Sequence, residues 1–264
     1  MLHTQQLKQL KNFLGYKPNI PIRKSWGQNF IVDNNTINKI ISIIEPKENE
    51  NLIEIGPGRG AITIPISKQV KHLTAIEIDP MLVEYLENFK IHNLDIIHKD
   101  FLEWEIKGTE KCRVIGNLPY YISSPIIFKL IQNKYVNEII IMVQKELAQR
   151  LSANPNNKNF SRMSVVVQAF CDVSYECDIS KNIFNPKPKV ESSIVRLKKK
   201  ENAKINFEKF SNFIKMCFVH RRKKLKNNLI KNVGITKNID FLNNERPENL
   251  SVQQYIDLFN KFSF

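Results

Sequence analysis

Residues 51–60 read NLIEIGPGRG, a short apolar run followed at once by three glycines on alternate positions. Apolar runs of this length are typical of buried strands. A helical pattern follows from about Ala61 to Val70. A glycine turn between a strand and a helix lets backbone N–H groups approach a ligand at the positive end of the helix dipole. The stretch therefore predicts a strand, turn and helix that bind a ligand at Gly56 and Gly58.

Apolar runs and helical patterns alternate through residues 34–150, on both sides of this turn. We predict strands at residues 51–55, 73–78, 94–98, 113–116 and 138–144, and helices at residues 36–44, 61–70, 81–89 and 125–132. Short strands separated by helices form parallel crossover units. We therefore expect an α/β fold with a doubly wound, mostly parallel, Rossmann-like sheet. Ligands of such sheets bind at the carboxyl ends of the strands.

The pattern changes after Arg150. Residues 164–175 and 192–197 are rich in β-forming residues with no predicted helix between them, which indicates an antiparallel strand pair at the end of the same sheet. The polar run Lys198-Lys199-Lys200 follows, and residues 207–230 and 251–262 then have helical patterns. The predicted domains are a basic N-terminal segment at 1–23, an α/β domain at 24–199 and a small all-α domain at 200–264.

The composition restricts the class of protein. The chain has 264 residues, 42% of them hydrophobic, which is enough for a substantial core. Its longest apolar stretches, such as Ile139 to Val143, are far shorter than the roughly 20 residues of a membrane-spanning helix. The four cysteines form no C-x-x-C pair and indicate core positions in a reducing compartment. No secretory signal pattern follows Met1. We expect a cytoplasmic, monomeric protein without a metal or membrane partner.

The charge indicates a polyanionic partner. Lys and Arg number 40 against 26 Asp and Glu, a net charge of +14, and such a surplus favours nucleic acid. Five basic residues precede the first acidic residue, Asp33: Lys8, Lys11, Lys17, Arg23 and Lys24. A second cluster is Arg221-Arg222-Lys223-Lys224, which we place on a helix and predict to bind RNA. A general Lys- and Ile-rich composition, or a solvated helix face with Leu225 and Leu229 buried, would also explain these charges.

Two acidic residues accompany the glycine turn and predict an adenosine-containing cofactor. Glu77 ends the second strand of the pattern, where a carboxylate can accept both hydroxyls of a ribose. Asp100 follows the third strand and can accept from an adenine amino group, while the ring of Phe101 covers the base. Asp100 alone would equally be a helix cap. The G-x-G-x-G spacing fits dinucleotide binding poorly, which argues against an NAD-dependent oxidoreductase.

The motif Asn117-Leu118-Pro119-Tyr120 ends the fourth strand. Proline constrains the preceding residue to an extended conformation, so the Leu118 carbonyl can point outward as a fixed acceptor. The Asn117 side-chain oxygen offers a second acceptor. Two acceptors on one exocyclic amino group draw its lone pair out of conjugation and make it a better nucleophile. Tyr120 would stack on a base extruded from its helix. The alternative is a purely structural role, in which the motif forms a β-turn beside a core tyrosine.

Six ordered motifs resemble the ribosomal RNA adenine dimethyltransferases, a family of class I methyltransferases, and most closely its small-subunit branch. The motifs are Trp26-Gly27-Gln28-Asn29-Phe30-Ile31, Glu54-Ile55-Gly56-Pro57-Gly58, Ile76-Glu77-Ile78-Asp79, Gly116 to Pro125, Gln144-Lys145-Glu146 and Phe184 to Ser192. The resemblance runs from about Lys24 to the C-terminal helices. It implies that residues 24–199 form an S-adenosylmethionine-dependent methyltransferase domain.

The resemblance also implies the substrate and the site residues. The acceptors would be the N6 groups of two adjacent adenosines in the 3′-terminal hairpin of small-subunit (16S) rRNA, within the immature small subunit, each receiving two methyls by direct displacement. The implied cofactor contacts are Asn29, Ile31, Gly56, Glu77, Asp100 and Asn117. Phe184 would face the flipped adenine opposite Tyr120. Two alternatives remain: a non-catalytic RNA-binding factor in ribosome assembly, and a large-subunit rRNA adenine methylase.

Overall fold

The computed structural model describes residues 20–23, 26–108, 110–201, 205–236, 239, 242 and 244–262. Most of the predicted N-terminal segment 1–23, with Lys8, Lys11 and Lys17, and also Lys24, lies outside the described residues. The strands are β1 (Phe30–Ile31), β2 (Asn51–Ile55), β3 (His72–Glu77), β4 (Leu94–His98), β5 (Cys112–Asn117), β6 (Val136–Gln144), β7 (Cys171–Ile179), β8 (Phe184–Asn185) and β9 (Ser192–Lys199). The α-helices are α1 (Asn34–Ile44), α2 (Thr63–Ser67), α3 (Pro80–Glu87), α4 (Ser123–Gln132), α5 (Lys145–Leu151), α6 (Arg162–Phe170), α7 (Phe207–Cys217), α8 (Leu225–Asn228) and α9 (Val252–Lys261).

Seven strands form one sheet in the order β4-β3-β2-β5-β6-β9-β7. Strands β2 to β6 pair in parallel, whereas β9 runs antiparallel to both β6 and β7. The chain adds β3 and β4 on one side of β2 and then returns to add β5 and β6 on the other side, so the strand order reverses between β2 and β5. This is the doubly wound, mostly parallel sheet with a terminal antiparallel pair that the sequence predicts. The carboxyl ends of β2, β3, β4 and β5 therefore lie at one edge, where the predicted ligand residues meet.

Alternate residues of the central strands bury against opposite layers of helices. Val114 and Ile139 belong to the core that includes α4 and the C-terminal helices. Their neighbours Ile115 and Ile140 belong to a second core that includes α1. The strand period of two produces this separation. Gly116 of β5 is required where this strand pairs with β2, because a Cβ there would lie 2.8 Å from the Ile55 carbonyl oxygen.

The prediction of a strand over residues 164–170 was wrong. These residues belong to helix α6, and the strand begins only at Cys171. Val165, Val166 and Val167 are all fully buried, and a continuous apolar run of this kind is compatible with either a buried strand or a buried helix. A capping box between Ser161 and Ser164 starts the helix and decides the outcome.

The prediction of one helix over residues 207–230 was also wrong. Helix α7 ends at Cys217, a turn follows, and α8 begins at Leu225. The C-terminal helices share the larger core with α4 and α6, through ring contacts of Phe207 with Phe128 and Phe170. Because the two parts share one core, the boundary at residue 200 stays a prediction. Among the described residues, no helix is long and apolar enough to cross a membrane.

Candidate active site

A cleft lies at the carboxyl ends of the parallel strands. It brings together ten predicted site residues from five chain segments. They are Asn29, Gly56, Gly58, Glu77, Asp100, Phe101, Asn117, Leu118, Pro119 and Tyr120. The side chain of Leu118 is buried. Ile31 lines an adjoining inner cavity instead, together with Asn29, Gly56 and Asn117.

The turn after β2 requires its glycines. Gly56 and Gly58 have φ angles of 67° and 57°, in the left-handed region that residues with a Cβ rarely adopt. A Cβ on Gly58 would also come within 3.1 Å of the Phe30 ring. The Gly58 N–H donates to Glu77 Oε2 at 3.1 Å, which links this turn to the end of β3. The Gly56 N–H donates to the Ile76 carbonyl at 2.9 Å, and the nearest atom to a Cβ placed on Gly56 is the Asn117 carbonyl oxygen at 4.0 Å, so a ligand can approach the backbone at this position.

Glu77 is only 5% exposed and is held by three backbone N–H groups. Oε1 accepts from Ile78 and Asp79 at 2.9 and 3.0 Å, while Oε2 accepts from Gly58. Burial raises the pKa of Glu77, although the three N–H groups oppose that shift. The carboxylate is therefore fixed in the cleft with acceptor capacity left for ligand hydroxyls.

Asp100 and Phe101 form a tight turn after β4. Asp100 Oδ1 accepts from the Leu102 N–H at 2.8 Å, so its side chain caps this turn and lines the cleft at the same time. The Phe101 side chain is 5% exposed and packs against Trp104, with ring centroids 6.1 Å apart. The turn thus presents one carboxylate and one apolar ring beside Glu77.

Asn117 has a defined amide orientation. Its Nδ2 donates to the Asn29 carbonyl at 3.2 Å, which leaves Oδ1 as the acceptor that faces away from that bond. The Leu118 N–H donates to the Met142 carbonyl at 3.0 Å, and among the described residues no hydrogen bond ends on the Leu118 carbonyl. Two oxygen acceptors from adjacent residues are thus held at the end of β5.

Tyr120 is anchored by the neighbouring antiparallel strand. Its hydroxyl hydrogen-bonds to Ser192 Oγ at 2.7 Å, and Ser192 begins β9 and is fully buried. Burial raises the pKa of the Tyr120 phenol. The Pro119 carbonyl accepts from Ser123 Oγ at 2.9 Å, which attaches the motif to the first turn of α4. The ring is therefore fixed at the cleft wall.

The segment before β1 closes one side of the cleft. Gln28 Nε2 donates to Asp79 Oδ2 at 2.8 Å, and Asn29 Nδ2 donates to the Gly27 carbonyl at 2.9 Å. β1 itself pairs with β8, where Ile31 lies opposite Phe184. Phe184 is 4% exposed in the smaller core and does not line the cleft in this structure. Its role at the base therefore stays a prediction.

Glu54 lies beneath the glycine turn and was not predicted as a site residue. It is 4% exposed, lines the inner cavity, and its Oε2 has no hydrogen-bond partner among the described residues. Burial raises its pKa to about 7, and the nearby charge of Glu77 adds to the shift. Its position as the one acidic residue in the apolar run of β2 could have identified it from the sequence.

The basic cluster lies in a turn and not on the predicted helix. Residues 218–223 form turns and a bend between α7 and α8, and Arg222, Lys223 and Lys224 are exposed. Arg221 donates to the Lys158 carbonyl at 2.6 Å and lies 3.5 Å from Glu248. Arg221 therefore fixes the turn, while the other three remain candidates for RNA contact. The buried side that the helix alternative required, Leu225 and Leu229, is present.

The strand order and the cleft define a class I methyltransferase. The glycine turn at the end of β2 and the buried Glu77 at the end of β3 lie beside the point where the strand order reverses, which is where ligands of such sheets bind. A profile of the ribosomal RNA adenine dimethylase family matches residues 19–263. The chain belongs to this family, and it is an rRNA adenine dimethyltransferase, as the sequence motifs predicted.

Individual relatives agree with this assignment. The ribosomal RNA small subunit methyltransferase A of Mycoplasma mobile is 40% identical over 247 residues, which are 90% of this chain and 96% of the relative. The corresponding protein of Mycoplasmopsis pulmonis is 44% identical over 210 residues, 78% of this chain and 83% of its own. A dimethyladenosine transferase from Plasmodium falciparum matches with a TM-score of 0.80 at 27% identity, over 88% of this chain and 97% of that one. The 23S rRNA methyltransferase ErmE shares the fold, with a TM-score of 0.69 at 22% identity.

Proposed function

We propose that this protein transfers methyl groups from S-adenosylmethionine to the N6 atoms of two adjacent adenosines near the 3′ end of small-subunit rRNA, two methyls to each. One observation carries the proposal: Asn117 donates through Nδ2 to the Asn29 backbone, so that Oδ1 is left as an acceptor beside the Leu118 carbonyl. An exocyclic amino group has two N–H donors, and this pair of oxygens matches them.

The residues of the cleft fit an adenosine-containing cofactor. Glu77 is a buried carboxylate held by backbone N–H groups, suited to the two hydroxyls of a ribose. Asp100 and Phe101 offer an acceptor and an apolar ring for a purine. The open backbone at Gly56 and the side chains of Asn29 and Ile31 would hold the amino-acid end. When bound, S-adenosylmethionine supplies a methyl group already activated by its sulfonium.

The protein would then act mainly by positioning the adenine amino group in line with the methyl group, rather than by acid–base catalysis. Asn117 and Leu118 orient the adenine amino group and withdraw its lone pair from the ring. Holding reactants in line can supply roughly 7–11 kcal/mol of a barrier. Tyr120, anchored at its hydroxyl by Ser192, offers a fixed ring face to a base that has left its stack.

The proposed substrate also implies where the protein acts and which surface contacts the RNA. We propose that the chain acts as a monomer in the cytoplasm on rRNA within the immature small subunit. The exposed Arg222, Lys223 and Lys224 and the basic N-terminal segment would contact phosphates without reading sequence. The names of the bacterial relatives support the small subunit, whereas ErmE, at 22% identity, shows only the shared fold.

A direct assay tests the function. The purified protein is incubated with labelled S-adenosylmethionine and either unmodified small or large subunits, and the rRNA is digested and analysed by mass spectrometry. We expect N6,N6-dimethyladenosine at two adjacent positions of the small-subunit RNA. Binding of the small subunit without methyl transfer would leave only the assembly-factor alternative. Modification confined to the large subunit would assign the chain to that branch of methylases.

A further inference from the structure

The turn Asp100–Trp104 carries two proposed contacts to the purine. It is a single helical turn, since the Asp100 carbonyl accepts from the N–H groups of Glu103 and Trp104 at 3.1 and 3.0 Å. Among the described residues, no backbone N–H donates to the carbonyls of Phe101, Leu102 or Trp104. Such carbonyls carry a partial negative charge and require another donor.

Lys129 supplies that donor from α4. Its Nζ donates to the carbonyls of Phe101, Leu102 and Trp104, at 2.8, 2.6 and 2.5 Å. An ammonium has three N–H groups, and this geometry engages all of them on one turn. The side chain therefore caps the turn in the manner of a basic residue at a helix C-terminus.

The contact is partly withdrawn from water. Lys129 Nζ lies 5.3 Å from the centroid of the Phe101 ring, above an apolar surface. Burial lowers the pKa of Lys129, and the charges of Asp100 and Glu105 oppose that shift. Hydrogen bonds from a charged donor are stronger than neutral ones, and partial burial strengthens them further. Loss of this ammonium would leave three carbonyls without their donor.

We propose that Lys129 is a positioning residue that fixes Asp100 and Phe101 for the purine of the cofactor. The same helix, α4, begins directly after the Asn117 to Tyr120 motif and is attached to it through Ser123 and Pro119. Lys129 consequently joins the purine end of the cleft to the methyl-acceptor end. The inference rests on the proposed use of S-adenosylmethionine.

The test compares Lys129→Met and Lys129→Arg with the wild type, and uses Lys134→Met as the matched control. Lys134 is exposed and its ammonium contacts only the Tyr135 ring among the described contacts, 4.9 Å from the centroid. Calorimetry measures the affinity for S-adenosylhomocysteine and for S-inosylhomocysteine. The second compound lacks the exocyclic amino group that would donate a hydrogen bond to Asp100. Tryptophan fluorescence reports the surroundings of Trp104 together with those of Trp26, the other tryptophan of the chain, and methyl transfer gives kcat and KM.

We expect Lys129→Met to weaken S-adenosylhomocysteine binding roughly tenfold. Its preference for the adenosyl over the inosyl compound should shrink, kcat at saturating cofactor should change less than KM, and the tryptophan emission should shift because the turn that carries Trp104 is loosened. Lys129→Arg should restore part of the affinity, and Lys134→Met should match the wild type. An unchanged preference in a folded Lys129→Met protein would overturn the inference, as would an effect on kcat alone.

A variant that does not fold and a wild type that does not bind the cofactor lead to different conclusions. If Lys129→Met does not fold, Lys129→Gln retains a shorter donor, and the same ratio of affinities is measured on it; an unchanged ratio there also overturns the inference. If the wild type itself binds neither S-adenosylmethionine nor S-adenosylhomocysteine, the proposed function fails, independently of Lys129.

Discussion

Glu54 is a buried carboxyl whose burial moves its titration toward neutral pH. In the folded protein its pKa is raised to about 7, whereas its usual value is 4.5. Between these pH values the folded protein holds a proton that the unfolded chain has lost. Stability therefore falls as the pH rises through this window. The full penalty at high pH is on the order of 3 kcal/mol.

Glu54→Gln should remove this pH dependence, because an amide of similar shape stays neutral. We expect the variant to gain stability over the wild type on passing from pH 5 to pH 8. The free energy of unfolding of the cofactor-free protein, measured with urea at both pH values, gives the difference. A parallel pH dependence in the two proteins would mean that Glu54 does not titrate in this range.

The hydrogen bond between the hydroxyls of Tyr120 and Ser192 connects two elements, because it joins the loop after β5 to the first residue of β9. Tyr120→Phe should lower kcat/KM by up to about tenfold, since a neutral hydrogen bond contributes roughly 1 kcal/mol. Ser192→Ala should act similarly. If both act through this one bond, the double variant will be no worse than the poorer single one. Additive losses in methyl-transfer assays would show that the bond does not position the ring.

The strands and helices were predicted from the sequence only where their apolar residues have a clear periodicity. The period of apolar residues predicted β2 to β6 and their order along the chain, because buried parallel strands and amphipathic helices differ in length and spacing. It misassigned α6, where Val165 to Val167 are buried on every side and leave no periodicity to read. The basic residues after Cys217 were placed on a helix, although three of them are exposed in a turn that Arg221 fixes through distant carbonyl and carboxylate groups.

At the scale of the whole molecule, the basic turn is the candidate surface for RNA. Lys223→Glu with Lys224→Glu should weaken binding to small subunits and reduce the slope of affinity against salt, because fewer counterions are released. Lys39→Glu with Lys47→Glu changes the net charge equally at two other exposed positions. Filter binding at several salt concentrations compares them. Equal losses in both variants would assign the effect to net charge rather than to this turn.

The candidate site was predictable where its residues follow strand ends, as Gly56, Glu77, Asp100 and Asn117 do. The supporting contacts were not, because they join residues far apart in the sequence: Tyr120 with Ser192, and Lys129 with the turn at Phe101. Such pairs depend on how α4 and β9 pack against the sheet, and no local pattern encodes that. The amide orientation of Asn117 likewise depends on the Asn29 backbone.

The rate of a single turnover with Asn117→Ala tests the two-acceptor arrangement most directly. Enzyme saturated with S-adenosylmethionine is mixed with unmodified small subunits, and methyl transfer is followed by rapid quench, with the unfolding midpoint as a control for folding. The removal of one oriented polar group from such a site lowers the rate by roughly 100-fold or more, and we predict a loss of this size in a protein of unchanged stability. A rate near that of the wild type would contradict the role of the Asn117 oxygen.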